Sequence, residues 1–186
     1  VDKNFKSIFS PKALLLFSPF KSENLLQLDQ NLNNSNLFSS GRIGQNDSLE
    51  GGTSLTLGFD YSIASTDDRE IFSSNLGQIF RDNNDEKLPT KTSMDNKSSD
   101  IIGNITINPT RNIAFDYDFN ADNNLDTVNY NFLTSKISVN NFITSFEYLE
   151  ENNNAGSKSY LSRKIAYEFN NNNSLSFNTR RNRKRD

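Results

Sequence analysis

The stretch "GGTSLTLGFDYSIA", residues 51–64, places an apolar side chain at every second position over about ten residues. The apolar positions are Leu55, Leu57, Phe59, Tyr61 and Ile63, and the positions between them are Ser54, Thr56, Gly58, Asp60 and Ser62. Successive side chains of a β-strand point to opposite faces of its sheet. The stretch therefore predicts one strand over residues 53–63, with an apolar face and a polar face.

The same period of two recurs further along the chain. In "RNIAFDYDFN", residues 111–120, the apolar set is Ile113, Phe115, Tyr117 and Phe119, and the polar set is Asn112, Asp116, Asp118 and Asn120. In "SSDIIGNITINP", residues 98–109, one face holds Ile101, Gly103, Ile105 and Ile107, the other holds Asp100, Asn104, Thr106 and Asn108, and Ile102 is an exception. Two later segments, "YLSRKIAYEF" and "SLSFNTR", show the pattern with interruptions. Each segment predicts a strand.

Connections of alternating length separate the predicted strands. Weaker strands are expected at 8–17, 70–82, 125–133 and 137–150, which brings the count to about nine. Long connections are expected at 18–52, 82–98, 120–125 and 150–158, and short ones at 65–69, 108–111, 134–137 and 170–173. Pro109 should lie in or beside a tight turn, because proline cannot donate to a strand ladder. Long loops alternating with short turns are typical of an outer-membrane barrel.

The hydrophobic content favours a barrel over a soluble sandwich. Only 33% of the 186 residues are hydrophobic, whereas globular domains average about 45–50%. A transmembrane barrel needs apolar residues on only half of each strand. We expect an all-β fold, an antiparallel up-and-down meander forming a partial, unclosed transmembrane β-barrel of about nine strands. A soluble antiparallel sheet explains the alternation equally well, but not the loop asymmetry or the low hydrophobic total.

The two faces are assigned on this basis. The lipid-facing candidates are Leu55, Leu57, Phe59, Tyr61, Ile63, Ile105, Ile107, Phe115, Tyr117 and Phe119. The candidates for a hydrated lumen are Ser54, Thr56, Asp60, Asp100, Asn104, Asn112, Asp116 and Asp118. We expect charges to be tolerated far better at Ser54 and Thr56 than on the lipid side.

The residue types exclude several kinds of chemistry. The chain has no cysteine and no histidine, so it offers neither a disulfide nor a Ser-His or Cys-His pair. Carboxylates on the polar faces fit a solvated wall better than acid–base catalysis or calcium binding. Twenty Lys and Arg against 23 Asp and Glu give a net charge of −3, which implies no general affinity for nucleic acid. We therefore expect no enzyme, no catalytic residue, no cofactor and no metal.

A basic cluster lies near the end of the chain at Arg180, Arg181, Arg183, Lys184 and Arg185. We interpret it as a strand end whose charges reach the lumen or the interface. Arg180 is expected on the face of Ser174 and Ser176, with Arg181 opposite. Contact with a phosphorylated lipid or with nucleic acid stays open as an alternative.

The segment "NLFSSGRIGQNDSLEGGTSLTLGFDY", residues 36–61, resembles the C-terminal barrel domain of the LPS-assembly (LptD) family. The resemblance rests on "NLFS", Arg42, and Glu50 before a glycine pair, followed in order by "LGQIFRD" at 76–82, "KLP" at 87–89 and "KSSDIIGNI" at 97–105. It covers nearly the whole chain. On this basis residues 1–186 are expected to be part of one outer-membrane β-barrel domain, a fragment without the periplasmic N-terminal domain, the family's cysteines or the closing strands.

The resemblance implies a function without covalent chemistry. Its expected partners are lipopolysaccharide, an LptE-like lipoprotein in the lumen, outer-membrane lipids, and periplasmic LPS-bridge proteins that act through the N-terminal domain. The chain would form a wall segment of a barrel that inserts lipopolysaccharide into the outer leaflet of a Gram-negative cell. A porin-like or ligand-uptake barrel is the alternative, and a surface adhesin or soluble β-repeat is a third.

Overall fold

Nine strands in chain order form the sheet of this protein. The computed structural model describes residues 5–26, 31–43, 50–152, 158–170 and 173–183. The strands are β1 (Phe5–Ser18), β2 (Gly52–Ser65), β3 (Glu70–Arg81), β4 (Ile101–Thr110), β5 (Ile113–Ala121), β6 (Val128–Val139), β7 (Phe142–Glu151), β8 (Lys158–Asn170) and β9 (Asn173–Asn182). Within the described ranges, the helical content is a 3₁₀ turn at Lys91–Ser93. These ranges contain no helix that could span a bilayer.

The strands pair antiparallel in the order β1-β2-β3-β4-β5-β6-β7-β8-β9. No ladder joins β1 to β9 among the strands that the structure describes, so the sheet is open. The predicted all-β meander, its nine strands and its open form are all confirmed.

Long connections lie at one end of the sheet and short ones at the other. At the loop end the chain passes from Ser18 to Gly52, from Arg81 to Ile101, from Ala121 to Val128 and from Glu151 to Lys158. At the turn end it passes from Ser65 to Glu70, from Thr110 to Ile113, from Val139 to Phe142 and from Asn170 to Asn173. We call the connection after Ser18 the first long loop and the one after Arg81 the second. The alternation predicted from the sequence is thus present. Pro109 is the second-last residue of β4, beside the turn at Arg111 and Asn112, as predicted.

One predicted turn is wrong. Residues 134–137 lie inside β6, and the chain reverses instead at Asn140 and Asn141. The polar run around Lys136 suggested a turn, but Thr134 and Lys136 supply the polar face of this strand. Asn140 has a φ of 53°, a conformation that asparagine accepts more readily than most residues.

Cross-strand partners place every strand residue on one of two faces. Leu57 pairs with Ala13 and Gln78, and Thr56 pairs with Leu14 and Ile79. We call the face that holds Leu55, Leu57, Phe59, Tyr61 and Ile63 the open face. The face that holds Ser54, Thr56, Gly58, Asp60 and Ser62 is the covered face, because residues of the long loops pack on it.

Burial on β2 is the reverse of that in a soluble sheet. Leu55 and Leu57 are 37% and 44% exposed, whereas Ser54 and Thr56 are 3% and 0% exposed. Other large exposed apolar residues belong to the open face of further strands, among them Phe5, Phe9, Phe17, Phe80, Phe115, Phe142, Ile165 and Phe177. The apolar face of this sheet therefore points away from the loops that pack on its other face.

A small apolar core lies on the other side, between the loops and the sheet. Its buried members are Leu25, Leu32, Leu37, Ile43, Ile79, Leu88, Met94 and Ile102, with Phe38 packed against them. Only Ile79 and Ile102 come from strands. Ile102, the exception to the alternation in its segment, is apolar because it meets the loops rather than water.

Two paired glycines let the first long loop approach the sheet. Gly58 pairs with Gly77 on the covered face. A Cβ built on Gly58 would lie 2.2 Å from the Leu76 carbonyl oxygen and 2.8 Å from Phe38 Cζ, and one on Gly77 would lie 2.7 Å from Leu37 Cδ2. The missing side chains therefore make the space that Leu37 and Phe38 occupy.

Replacing Gly58 with alanine should destabilise the protein, although alanine in place of a strand glycine is ordinarily favourable. The new methyl meets backbone that cannot move without disturbing the ladder, and overpacking of this kind costs about 1–3 kcal/mol. The measurement is the temperature at which the assembled protein loses its folded electrophoretic mobility. Gly41→Ala is the matched control, because nothing lies within 4 Å of a Cβ built there. Equal stability of the two variants would contradict this account of the loop packing.

Candidate functional site on the covered face

A buried arginine fastens the first long loop to β2. The Arg42 side chain has no exposed surface. Its Nε and Nη2 donate to the two carboxylate oxygens of Glu50 at 2.6 and 2.5 Å, its Nη1 donates to Thr56 Oγ1 at 2.9 Å, and its Nη2 also donates to Ser54 Oγ at 2.7 Å. A planar guanidinium suits this two-pronged contact with a carboxylate, and lysine could not reproduce it.

A second arginine shares the same carboxylate. Arg81, the last residue of β3, pairs through Nη1 with Glu50 Oε1, and its Nε donates to the Met94 carbonyl oxygen at 3.0 Å. Its side chain is only 4% exposed. The cluster Arg42–Glu50–Arg81 thus connects the first long loop to β2 and β3, and through Met94 it also connects the loop after β3. The cluster carries two positive charges and one negative charge.

Burial of this cluster has an electrostatic cost. Loss of solvent lowers the pKa of the Arg42 guanidinium from 12.5 to about 10. Arg42 nevertheless stays protonated at neutral pH. The bonds to Glu50, Ser54 and Thr56 offset the loss of water, as a buried charge requires.

Polar side chains of β4 and β5 form a second cluster on the covered face. Asn104 Nδ2 donates to Asp116 Oδ1 and to Asp118 Oδ1, both at 2.9 Å, and Thr106 Oγ1 donates to Asp116 Oδ1 at 2.6 Å. Asn34 of the first long loop donates to Asp118 at 3.3 Å. The sequence placed Asn104, Asp116 and Asp118 on one face, and the structure brings them into contact.

Asp100 lies just before β4 and is 1% exposed. It accepts hydrogen bonds from Ser93 Oγ at 2.7 Å and Asn129 Nδ2 at 3.1 Å. Burial raises the pKa of the Asp100 carboxyl, and these two hydrogen bonds act against that rise. Its contacts are with Ser93 of the second long loop and Asn129 of β6 rather than with open solvent.

Asp100 and two further polar candidates are buried instead of meeting water. Ser54 and Thr56 lie on the covered face, but they are buried and bonded to Arg42 instead of lining a hydrated surface. The tolerance of these two positions to charge stays a prediction, and their contacts act against it, because a new charge there would meet the buried Arg42 guanidinium. Asp60 is 44% exposed and pairs with Lys12. Asn112 lies in the turn after β4, outside the strands.

The apolar candidates of the sequence share the open face, as their alternation indicated. Phe59 contacts Phe9 with ring centres 5.5 Å apart, and Tyr117 stacks on Phe119 at 5.6 Å. The Phe119 ring lies across Gly103, where a Cβ would come within 2.3 Å of it. The other candidates on this face are Leu55, Leu57, Tyr61, Ile63, Ile105, Ile107 and Phe115.

Arg180 and Arg181 of β9 lie on opposite faces of the sheet, as predicted. Arg180 pairs with Ser162, and its guanidinium carbon lies 3.9 Å from the centre of the Tyr160 ring, a cation–π distance. Arg181 projects to the opposite face. Lys184 and Arg185 lie outside the described residues.

Sequence reasoning missed the roles of Arg42, Glu50 and Arg81. In the sequence, Arg42 and Glu50 stand out only through the family resemblance. They are eight residues apart in an irregular segment, and Arg81 follows Glu50 by 31 residues, so no periodic pattern connects the three side chains. Among the described residues, no group of three or more Asp or Glu side chains could hold a metal ion.

Arg42→Ala should cost about 1–3 kcal/mol of stability or more, because it leaves the buried hydroxyls of Ser54 and Thr56 without their donor, although Arg81 still pairs with Glu50. Arg111→Ala is the matched control, since Arg111 is 79% exposed and pairs with Asp67 at the surface, where such a pair contributes about 0.2–1 kcal/mol. Thermal loss of the folded form, with protease cleavage within residues 31–43 measured in parallel, reports both effects. Similar losses in the two variants would contradict the role given to Arg42.

Comparison with known proteins gives one family. No curated protein matches the chain. A sequence model of the LptD family, described as LPS transport system D, matches residues 1–181. This match covers nearly all of the chain, including the Arg42–Glu50–Arg81 cluster and every strand except the last residue of β9. The chain therefore belongs to the LptD family and has a role in the transport of lipopolysaccharide.

Proposed function

We propose that this chain forms part of the wall of an outer-membrane β-barrel that inserts lipopolysaccharide into the outer leaflet. In this arrangement the open face lies against acyl chains, and the covered face points into the lumen. Residues 1–186 would belong to one barrel domain, and transport would involve no covalent chemistry.

The reversed burial on β2 is the observation that carries the proposal. Leu55 and Leu57 are exposed while Ser54 and Thr56 are buried. A soluble protein rarely exposes contiguous apolar patches larger than a few hundred Å², and larger ones mark membrane or partner contacts. Here exposed apolar residues occur on one face of every part of the sheet from β1 to β9. A surface of this width fits contact with a lipid bilayer better than contact with a single protein partner.

The distribution of aromatic residues gives further support. Phe17 and Phe80 lie at the loop end of the open face, and Phe72, Phe142 and Tyr167 lie at the turn end. Outer-membrane barrels carry aromatic girdles at both membrane interfaces, with long loops outside the cell and short turns in the periplasm. The same rule orients this chain with the apolar loop core on the extracellular side.

The odd strand count supports a barrel wall to which strands beyond these nine also contribute. Bacterial barrels made of one chain have an even number of strands, whereas this sheet has nine and is open. β1 and β9 each leave one edge unpaired among the described strands. An edge of this kind in a membrane requires a partner strand, because its backbone groups would otherwise meet hydrocarbon.

The partners follow from family membership. We propose an LptE-like lipoprotein in the lumen, outer-membrane lipids around the barrel, and delivery by periplasmic LPS-bridge proteins through an N-terminal domain. A porin-like uptake role finds no comparable support, because the family match names lipopolysaccharide transport.

Leu57→Lys should impair assembly, because a lysine on the lipid side costs about 2–4 kcal/mol near the membrane midplane. Ser62→Lys on the same strand is the matched control, since Ser62 lies on the covered face at a half-buried position outside the Arg42 contacts. The measurements are heat-modifiable migration of the barrel and the amount of surface lipopolysaccharide. Equal loss of both in the two variants would contradict the assignment of faces.

A further inference from the structure

A cavity of about 370 Å³ lies on the covered face, between the first long loop and strands β4, β5 and β6. Residues 31–35 form its loop wall, and its sheet wall consists of Ile102, Gly103, Asp118, Asn120 and Tyr130. This volume falls within the range of small-ligand sites, about 300–1,000 Å³. None of these residues is a lysine or an arginine. The wall therefore offers no positive charge to an anionic ligand.

Asp118 gives the cavity a negative charge that the protein does not neutralise. Asp116, two residues away on the same face, adds a second one, and both carboxylates accept a hydrogen bond from Asn104 Nδ2 at 2.9 Å. Among the described residues, no lysine or arginine pairs with either carboxylate. Like charges held this close repel each other. A positively charged ligand would therefore stabilise the pair.

An unused acceptor at the loop wall points to the same kind of ligand. Asn31 Nδ2 donates to Glu151 Oε1 at 3.2 Å, which fixes the orientation of the amide, because a carboxylate only accepts. Asn31 Oδ1 is then buried without a hydrogen-bond partner among the described residues. This oxygen need not touch the ligand, since the negative end of its dipole adds to the negative potential at the cavity wall.

An organic ammonium group fits this wall better than a metal ion does. Asn104 and Asn34 both direct their Nδ2 groups at Asp118 Oδ1, and N–H groups repel a metal ion there. No group of three or more Asp or Glu side chains that could hold a metal ion occurs in the described ranges. An ammonium group needs only hydrogen-bond acceptors. The half-buried Tyr130 ring at the cavity adds a surface for the alkyl chain and for the cation.

We propose that this cavity binds a small linear aliphatic amine, with a primary ammonium group on Asp118 and the alkyl chain along Tyr130. Asp118 Oδ2 accepts no hydrogen bond from the described residues, so this oxygen is available to an N–H donor. Asp116 strengthens the attraction without lining the cavity. The ligand is distinct from the transported lipid, and the inference does not depend on the function proposed above.

The test is calorimetric titration of the assembled protein with cadaverine and two analogues of the same chain length. Pentamethonium has the same charge but no N–H donor, and pentanediol has hydroxyl groups but no charge. Cadaverine should bind more tightly than either analogue, because the site supplies both a negative charge and a hydrogen-bond acceptor. Binding of pentamethonium or pentanediol as tight as that of cadaverine, or no binding of cadaverine, would overturn the proposal.

A charge-removing variant locates the site. Asp118→Asn should weaken cadaverine binding about tenfold or more, because hydrogen bonds to a charged group are stronger than neutral ones. Asparagine keeps the size of the side chain and an oxygen that can accept from Asn104, and heat-modifiable migration checks that the variant is assembled. Asp126→Asn is the matched control, since it removes the same charge from an exposed residue outside the cavity. An equal effect of the two variants would place binding elsewhere and overturn the site.

Two competitors separate a small amine from other cations. Magnesium chloride should displace cadaverine no more than sodium chloride of equal ionic strength does, and stronger displacement would overturn the proposal in favour of a metal site. A lysine derivative with blocked termini represents the side chain of a protein partner. It should bind more weakly than cadaverine, because its blocked backbone adds bulk and it carries one charge instead of two. Tighter binding of the lysine derivative would overturn the assignment to a small amine.

Discussion

Side chains of a β-strand must alternate between two faces, and in this chain the alternation puts the apolar side chains outward. Leu55 and Leu57 are exposed, while Ser54 and Thr56 are buried under a loop. The burial on the sheet and the packing of the long loops both depend on this division. The open face needs an apolar environment that the protein itself does not supply, and the covered face needs partners for its polar groups.

Those polar groups are satisfied in two different ways along the sheet. Near the loop end of β2 and β3 they bind charged residues from the loops, with Arg42 at the centre. On β4 and β5 they bind one another, as Asn104 does with Asp116 and Asp118. The apolar loop core fits on the same face only because Gly58 and Gly77 leave room and Ile79 and Ile102 interrupt the polar pattern. The covered face is therefore a packed structure at its loop end rather than a simple hydrated wall.

The sequence predicts what depends on short-range periodicity. The strand at 53–63, which lies within β2, the position of Pro109 and the count of nine strands all come from local patterns, and all agree with the structure. The prediction of a turn at 134–137 was wrong because a polar run within a strand can have the same composition as a turn. The Arg42–Glu50–Arg81 cluster could not be predicted from the sequence for another reason. Arg42 and Arg81 reach the same carboxylate only after β2 and β3 pair and the first long loop folds onto them. Ser54 and Thr56 show the same limit, because alternation gives their face but not what covers it.

The central claim is that the open face of β2 lies in lipid, and the absence of cysteine from the chain allows a direct test. Single cysteines at positions 55, 57 and 59 to 63, each carrying a nitroxide spin label, can be introduced into the protein assembled in membranes. Collision with oxygen, which concentrates in lipid, is then compared with collision with a water-soluble nickel complex. The account predicts a high oxygen to nickel ratio at positions 55, 57, 59, 61 and 63 and a low ratio at 60 and 62. A ratio without this alternation, or one that is as high at 60 and 62 as at their neighbours, would contradict it.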